Sequence, residues 1–219
     1  MIDKRVLLLC GHYGSGKTNI AVNLAMRAAK KYSRVTVADL DIVNPYFRTK
    51  DSEKDFADAG IRLICSAYAN TNVDIPALPP DLYAITDDRD MRVIIDVGGD
   101  DRGALALGRI TPALLEENDY EMLMVINCYR PLTSDAESTI EVMREIETAC
   151  GIRFTGLVNN SNLGAETSAE NVLKSVSYAD EVSRLSGLPL CMTSVEERLF
   201  ETLEGKIPNL FPMELQKKL

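Results

Sequence analysis

Short apolar runs rich in β-branched residues alternate along the chain with longer stretches in which apolar side chains recur every three or four positions. The short runs are typical of buried strands and the longer stretches of amphipathic helices. Because strands and helices alternate regularly, we expect an α/β fold: a doubly wound, mostly parallel seven-stranded sheet with helices on both faces. The seven predicted strands are Arg5–Cys10, Arg34–Asp39, Ile61–Cys65, Arg92–Asp96, Glu121–Asn127, Arg153–Asn159 and Leu188–Thr193.

Two helices have the clearest sequence signals. The helix after the first strand ends at Lys30 and Lys31, where the helix dipole favours cations. Its apolar face is formed by small and branched residues: Ile20, Ala21, Leu24, Ala25 and Ala28. A second helix is predicted to open at Ser134 with a capping box that pairs Ser134 with Glu137, and to run to about Cys150 before Gly151.

The segment 66–90 breaks this alternation. It contains three prolines, many carboxylates and little periodicity, which indicates an excursion over the surface with one short helix after Pro80. Two interpretations remain open: a long crossover connection and a partner-binding loop.

Composition narrows the class of protein. The chain has 219 residues, 24 Lys and Arg against 33 Asp and Glu, and a formal net charge of −9. An acidic chain has no overall field that attracts nucleic acid or anionic lipid, so we expect neither partner. No stretch approaches the length of a membrane span and no linker divides the sequence, so we expect one domain over residues 1–219 in the cytoplasm. The scattered cysteines suit small buried apolar residues in a reducing compartment.

The most specific motif follows the first predicted strand. Residues 11–18, GHYGSGKT, match G-x-x-x-x-G-K-[ST] between a strand and a helix, which is the context of a phosphate-binding P-loop. Its glycines (Gly11, Gly14 and Gly16), with Ser15 between them, let backbone amides curl around a phosphate. Lys17 reaches the β- and γ-phosphates, and the Thr18 hydroxyl ligates Mg²⁺. The motif predicts binding of a nucleoside triphosphate or diphosphate.

Carboxylates follow two other predicted strands. Asp96 ends a buried run and opens a D-x-x-G segment, so it is a candidate indirect ligand of Mg²⁺, with Gly99 placing its amide near a γ-phosphate. The alternative is that Asp96 caps the next turn. Asp39 and Asp41 alternate along an extended chain and share one side, so both can face the phosphates. Here the alternative is two solvated loop acids.

Together, the P-loop, the D-x-D-x-x-x-P segment at Asp39–Pro45 and the D-x-x-G segment resemble the MinD/ParA-type P-loop ATPases of the CobQ/CobB/MinD/ParA group. Residues 39–45 are especially similar to the corresponding segment of the Mrp-type iron–sulfur carriers. The resemblance implies that Asp41 orients the attacking water, with its metal contact made through water, and that Asp96 belongs to Walker B. It also implies that Asn160, or Asn159 as second choice, hydrogen-bonds the adenine edge. No N-K-x-D or T-K-x-D guanine signature occurs, so ATP is expected rather than GTP.

The sequence departs from the resemblance in three places. Where the group carries a second lysine that reaches a partner's phosphates, this chain has His12, its only histidine. A cation could come instead from an arginine: Arg48, Arg102, Arg109 or Arg130. No C-x-x-C pair occurs, so no iron–sulfur cluster is expected, and the proline-containing segment 207–219 makes a poor membrane-targeting helix.

The expected function is therefore that of an ATP- and Mg²⁺-binding ATPase that switches a protein partner or a second subunit. Two alternatives stay open. One is a nucleotide-binding regulatory module with negligible turnover, which the absence of the second lysine favours. The other is an ATP-dependent ligase or kinase for a small molecule on the same scaffold.

Overall fold

The computed structural model describes residues 4–40, 52–65, 80–99 and 101–216, and within them it contains one eight-stranded, fully parallel sheet. The strand order is β3-β2-β4-β1-β5-β6-β7-β8. The strands are β1 Val6–Cys10, β2 Val35–Leu40, β3 Ile61–Cys65, β4 Arg92–Val97, β5 Tyr120–Ile126, β6 Gly156–Asn159, β7 Leu190–Glu196 and β8 Leu210–Met213. The α/β class and the parallel sheet predicted from the sequence are confirmed.

Helices connect the strands. They are α1 Lys17–Ala29, α2 Glu53–Asp58, α3 Ala84–Asp87, α4 Asp101–Gly108, α5 Thr111–Glu117, α6 Ala136–Cys150, α7 Ala169–Ser186 and α8 Glu197–Leu203. Short 3₁₀ helices span Pro80–Leu82, Pro131–Thr133 and Gly164–Glu166. In the described ranges, no helix has both the length and the apolar character that a membrane span requires.

The sheet buries both of its faces. In β1, Val6, Leu8 and Cys10 belong to one buried cluster, whereas Leu7 and Leu9 belong to the other. The first cluster includes side chains of α4, α6 and α7, and the second includes those of α1. Because successive side chains of a strand point to opposite faces, a central strand covered on both sides must be apolar throughout. This explains the uninterrupted run of apolar residues in β1.

The prediction of seven strands was one strand short. The eighth strand, β8, pairs with β7 in the register Thr193↔Leu210 to Glu196↔Met213. It has four residues and contains Pro212, which cannot donate a backbone hydrogen bond. A proline is tolerated there because β8 lies at the edge of the sheet.

The start of α6 also differs from the predicted capping box. Asp135, not Ser134, is the N-cap, and its carboxylate accepts a hydrogen bond from the backbone N–H of Ser138 at 2.9 Å. That bond lowers the pKa of the Asp135 carboxyl. The predicted end is confirmed, since Cys150 is the last helical residue and Gly151 has a φ of 69°.

The segment from Pro80 to Met91 is fastened by a buried cation. Arg5 donates to the backbone carbonyls of Ile85 at 3.0 Å and Met91 at 3.1 Å, and it pairs with Glu117. A short helix after Pro80 was predicted, and α3 confirms it. Residues 66–79 lie outside the described ranges, so both interpretations of the excursion remain predictions.

Candidate nucleotide-binding site

The loop between β1 and α1 is held in a conformation that requires glycine. Gly11, Gly14 and Gly16 have φ values of 147°, 76° and 88°, in the left-handed region that L side chains rarely adopt. A Cβ on Gly11 would overlap the Val125 carbonyl of β5, and one on Gly16 would overlap the Asn160 amide beyond β6. The loop is thus pressed against the ends of two neighbouring strands.

The lysine and threonine of the motif are the first two residues of α1, and both are buried. The Lys17 ammonium curls back over the loop, where its Nζ donates to the carbonyl oxygens of Gly11 at 3.0 Å and His12 at 3.3 Å. A phosphate in this loop would meet the ammonium together with the positive end of the α1 dipole.

A hydroxyl and a carboxylate meet next to this lysine, and a second carboxylate lies on the adjacent strand. Thr18 Oγ1 donates to Asp96 Oδ2 at 2.7 Å, and Asp96 is 1% exposed. On the adjacent strand β2, Asp39 is in register with Asp96 and is also buried. Oxygen donors of this kind are the ligands that Mg²⁺ prefers, so the residues present fit the metal that the motif implies. Asp41 lies outside the described residues.

The segment after β4 touches the phosphate-binding loop directly. A Cβ on Gly99 would lie 2.6 Å from the backbone nitrogen of Tyr13, and one on Gly103 would lie 2.7 Å from Gly98. Only glycine allows backbone to approach backbone this closely. The structure therefore brings Gly99 to the loop, and its contact with a γ-phosphate stays a prediction.

Asn160 and Asn159 occupy different environments. The Asn160 side chain donates through Nδ2 to the Ser15 carbonyl at 2.7 Å and accepts through Oδ1 from the Ser194 hydroxyl at 2.7 Å. Asn159 instead donates to Ser175 Oγ on α7 at 2.9 Å. Asn160 is thus bonded to the phosphate-binding loop itself, and its contact with adenine stays a prediction.

A cavity of about 570 Å³ extends from the loop to the carboxyl ends of β6 and β7. Its lining includes Lys17 and Thr18 at the start of α1, and Asn162 and Thr167 in the loop after β6. Glu196 at the end of β7 and Gln216 after β8 also line it. This volume lies within the range of about 300–1,000 Å³ that is usual for small-molecule sites. A nucleotide with its phosphates on the loop has room for its nucleoside here.

The candidate cations differ in their positions. His12 is half-buried, with Nδ1 at 3.0 Å from the Tyr13 carbonyl, and Arg130 donates from Nε to the Gly14 carbonyl at 2.8 Å. Arg109 is exposed at the end of α4. Neither Arg48 nor the side chain of Arg102 is among the described parts.

Two groups of residues near the site are not among those predicted from the sequence. Arg198 donates to the carbonyls of Ala165 and Thr167 at 3.1 and 2.8 Å and so fastens the loop after β6. Asn19 and Asn23, on the outer side of α1, hold residues of the chain's end. A pair of asparagines four positions apart on a helix is a signal in retrospect, because amides can bind an extended chain.

A parallel sheet with this loop, lysine and strand-end aspartate defines a P-loop nucleotide-binding protein. The sequence matches the CobQ/CobB/MinD/ParA nucleotide binding domain over residues 11–187, which is more than half of the chain. The chain therefore belongs to this family, and the resemblance seen in the sequence is confirmed. Among curated proteins, no match is found.

Solved structures share the fold. Cell division protein FtsY from Thermotoga maritima has a TM-score of 0.58 and 17% identity, over 88% of this chain and 62% of that one. FtsY from Mycoplasma mycoides has 0.57 and 16%, over 88% and 61%. The signal recognition particle 54 kDa protein from Aeropyrum pernix K1, in complex with GDP, has 0.52 and 16%, over 88% and 42%. This chain thus spans at most about three fifths of the length of these proteins. At identities this low, the similarity shows a common fold and nothing further.

Proposed function

We propose that this chain is a cytoplasmic, single-domain ATPase that binds Mg-ATP and switches a protein partner or a second subunit. The observation that carries the proposal is the buried Thr18–Asp96 hydrogen bond of 2.7 Å beside Lys17. A hydroxyl, a strand-end carboxylate and a P-loop lysine together are the parts that P-loop hydrolases use at the β- and γ-phosphates.

Three residues would hold the metal: Thr18 through its hydroxyl, and Asp96 and Asp41 through water. When bound, Mg²⁺ would neutralise negative charge that develops during phosphoryl transfer. Lys17 binds the β- and γ-phosphates, and Asp41 orients the attacking water. Gly99 senses the γ-phosphate, since its backbone packs against Tyr13 of the loop.

ATP is proposed as the nucleotide because the sequence has neither N-K-x-D nor T-K-x-D. One of the similar structures holds GDP, so the choice of base needs a direct test. Competition between ATP and GTP for a fluorescent ADP analogue supplies it. Preference for GTP would overturn the assignment of the base and leave the phosphate site standing.

His12 favours a second candidate, a nucleotide-dependent regulator with negligible turnover. An imidazole is a poorer partner for a phosphate than the ammonium of the lysine found at this position in related proteins. The two candidates differ in turnover, not in binding.

The test is steady-state phosphate release with Mg-ATP over a wide range of protein concentration, with light scattering to follow assembly. We expect the specific activity to rise as a dimer or complex forms. Lys17→Ala should abolish triphosphate binding, and Asp41→Asn should retain binding while stopping hydrolysis. ATP binding by Lys17→Ala would refute the proposed site, and tight binding without turnover under all conditions would favour the regulator.

A further inference from the structure

The end of the chain crosses the outer surface of α1. After β8, the backbone of Glu214 makes two hydrogen bonds with the side chain of Asn23. Asn23 Nδ2 donates to the Glu214 carbonyl at 2.8 Å, and the Glu214 N–H donates to Asn23 Oδ1 at 2.9 Å. Two residues further on, the Gln216 N–H donates to Asn19 Oδ1 at 2.9 Å. The segment 214–216 thus runs from the middle of α1 towards the phosphate-binding loop.

The spacing of the two asparagines matches the repeat of an extended chain. Four residues of an α-helix rise about 6 Å, and two residues of a strand advance about 6.6 Å. Amides at Asn19 and Asn23 therefore meet alternate backbone groups of the segment, as a neighbouring strand would. Arg27, a further turn along, donates to the Pro212 carbonyl at 2.9 Å and lies 4.0 Å from the centroid of the Phe211 ring.

The segment also reaches the site. Met213, Leu215 and Gln216 line the same cavity of about 570 Å³ as Lys17 and Thr18. Gln216 Nε2 donates to Ser52 Oγ at 2.8 Å, immediately before α2. The backbone of the segment is thus held in place by hydrogen bonds, while the apolar side chain of Leu215 stays 40% exposed at the cavity. An exposed apolar side chain on a fixed backbone is suited to packing against a ligand.

We propose that residues 213–216 form a wall of the nucleotide site that packs against the nucleoside, so that nucleotide binding and docking of this segment on α1 stabilise each other. The phosphates belong at the loop, which leaves the ribose and base to meet the exposed apolar side chain of Leu215, beside the nearly buried Met213. Coupling of this kind is reciprocal: docking of the segment strengthens nucleotide binding by the same factor by which bound nucleotide strengthens docking. The inference rests on nucleotide binding as set out under the proposed function.

Asn23→Ala is the sharpest variant, because Asn23 holds the segment and is not part of the cavity lining. Calorimetric titration with ADP should show an affinity loss of about five- to tenfold, at the lower end of usual coupling strengths. Inorganic tripolyphosphate, which lacks the nucleoside, should bind the variant as it binds the unaltered chain. Truncation after Met213 should give at least the same loss for ADP. Glu181→Ala, a change at a half-buried position on α7 outside the cavity lining, is the control and should leave both affinities unchanged.

Hydrogen exchange gives a second readout. The amides of Glu214 and Gln216 should exchange more slowly when ADP is added, and Asn23→Ala should abolish that protection. Unaltered ADP affinity in both variants, or an equal loss for tripolyphosphate, would overturn the inference. If the unaltered chain bound no nucleotide, the proposed function would fall as well, so the two failures are distinguishable.

Discussion

Replacement of Asn160 by alanine separates two roles for this residue, support of the phosphate-binding loop and recognition of adenine. The change removes the hydrogen bond to the Ser15 carbonyl and the one accepted from Ser194. Ser194 keeps a second acceptor, the Asn159 carbonyl at 3.2 Å, whereas the Ser15 carbonyl loses its side-chain donor. One buried polar group left without its partner costs about 1–3 kcal/mol. At about 2–4 °C per kcal/mol for a chain of this size, the melting temperature should fall by roughly 2–12 °C.

The effect on ligands discriminates more sharply than the effect on stability. If Asn160 supports the loop, Asn160→Ala should lower the affinities for ADP and for inorganic tripolyphosphate by similar factors. If Asn160 recognises the base, only the affinity for ADP should fall, and the preference for ATP over GTP should change. Calorimetric titration of all four ligands at one temperature, where the variant is fully folded, measures both effects.

Asn159→Ala is the matched control, since Asn159 is an adjacent buried asparagine that faces α7. It should lower stability by a comparable amount while changing the affinity for tripolyphosphate much less. The loop-support role is refuted if Asn160→Ala leaves the melting temperature unchanged. It is also refuted if the variant binds nucleotides more weakly but tripolyphosphate equally well, which is the result that recognition of adenine predicts.

Three further predictions follow from the geometry around the loop. Gly16→Ala should abolish measurable ATP binding by calorimetry, because the left-handed backbone costs about 1–2 kcal/mol and the new Cβ would displace Asn160; retained affinity would contradict this. Arg130→Gln removes the cation bonded to Gly14 and should weaken ATP by about three- to tenfold, with a shallower salt dependence of affinity. Burial raises the pKa of the Cys10 thiol well above its usual value, so only strongly alkaline pH forms the thiolate. Alkylation followed by mass spectrometry should find Cys10 unreactive at pH 8 in the folded protein and reactive once it is unfolded.

Most of the sheet was predictable because burial on both faces gives the central strands continuous runs of apolar residues. A run such as Val6–Cys10 has no polar position to confuse with a helix or loop. β8 has no such run: Leu210–Met213 is short and contains Pro212, and its strand character comes from pairing with β7. Similarly, Ser134 and Asp135 are both competent caps, and only the three-dimensional path of the chain selects Asp135.

The site was predictable only where a local motif determines it. Residues 11–18 specify a phosphate loop by themselves, and the strand-end position of Asp96 follows from periodicity. Asn160 and Ser15, in contrast, are 145 residues apart in the sequence, and Arg130 and Gly14 are 116 apart. Such pairs depend on the order of the strands in the sheet, and the pattern of residues along the chain does not determine that order.

The position of β1 between β4 and β5 explains why so many of these contacts converge on one loop. Loops that leave the carboxyl ends of neighbouring parallel strands meet at the same edge of the sheet. On one side, Gly99 after β4 packs against Tyr13; on the other, Arg130 after β5 and Asn160 after β6 bond to Gly14 and Ser15. If the γ-phosphate is sensed on the Gly99 side and the nucleoside is held on the β6–β8 side, hydrolysis would alter the first set of contacts and leave the second intact. A switch built in this way would change its partner surface on hydrolysis while still holding ADP.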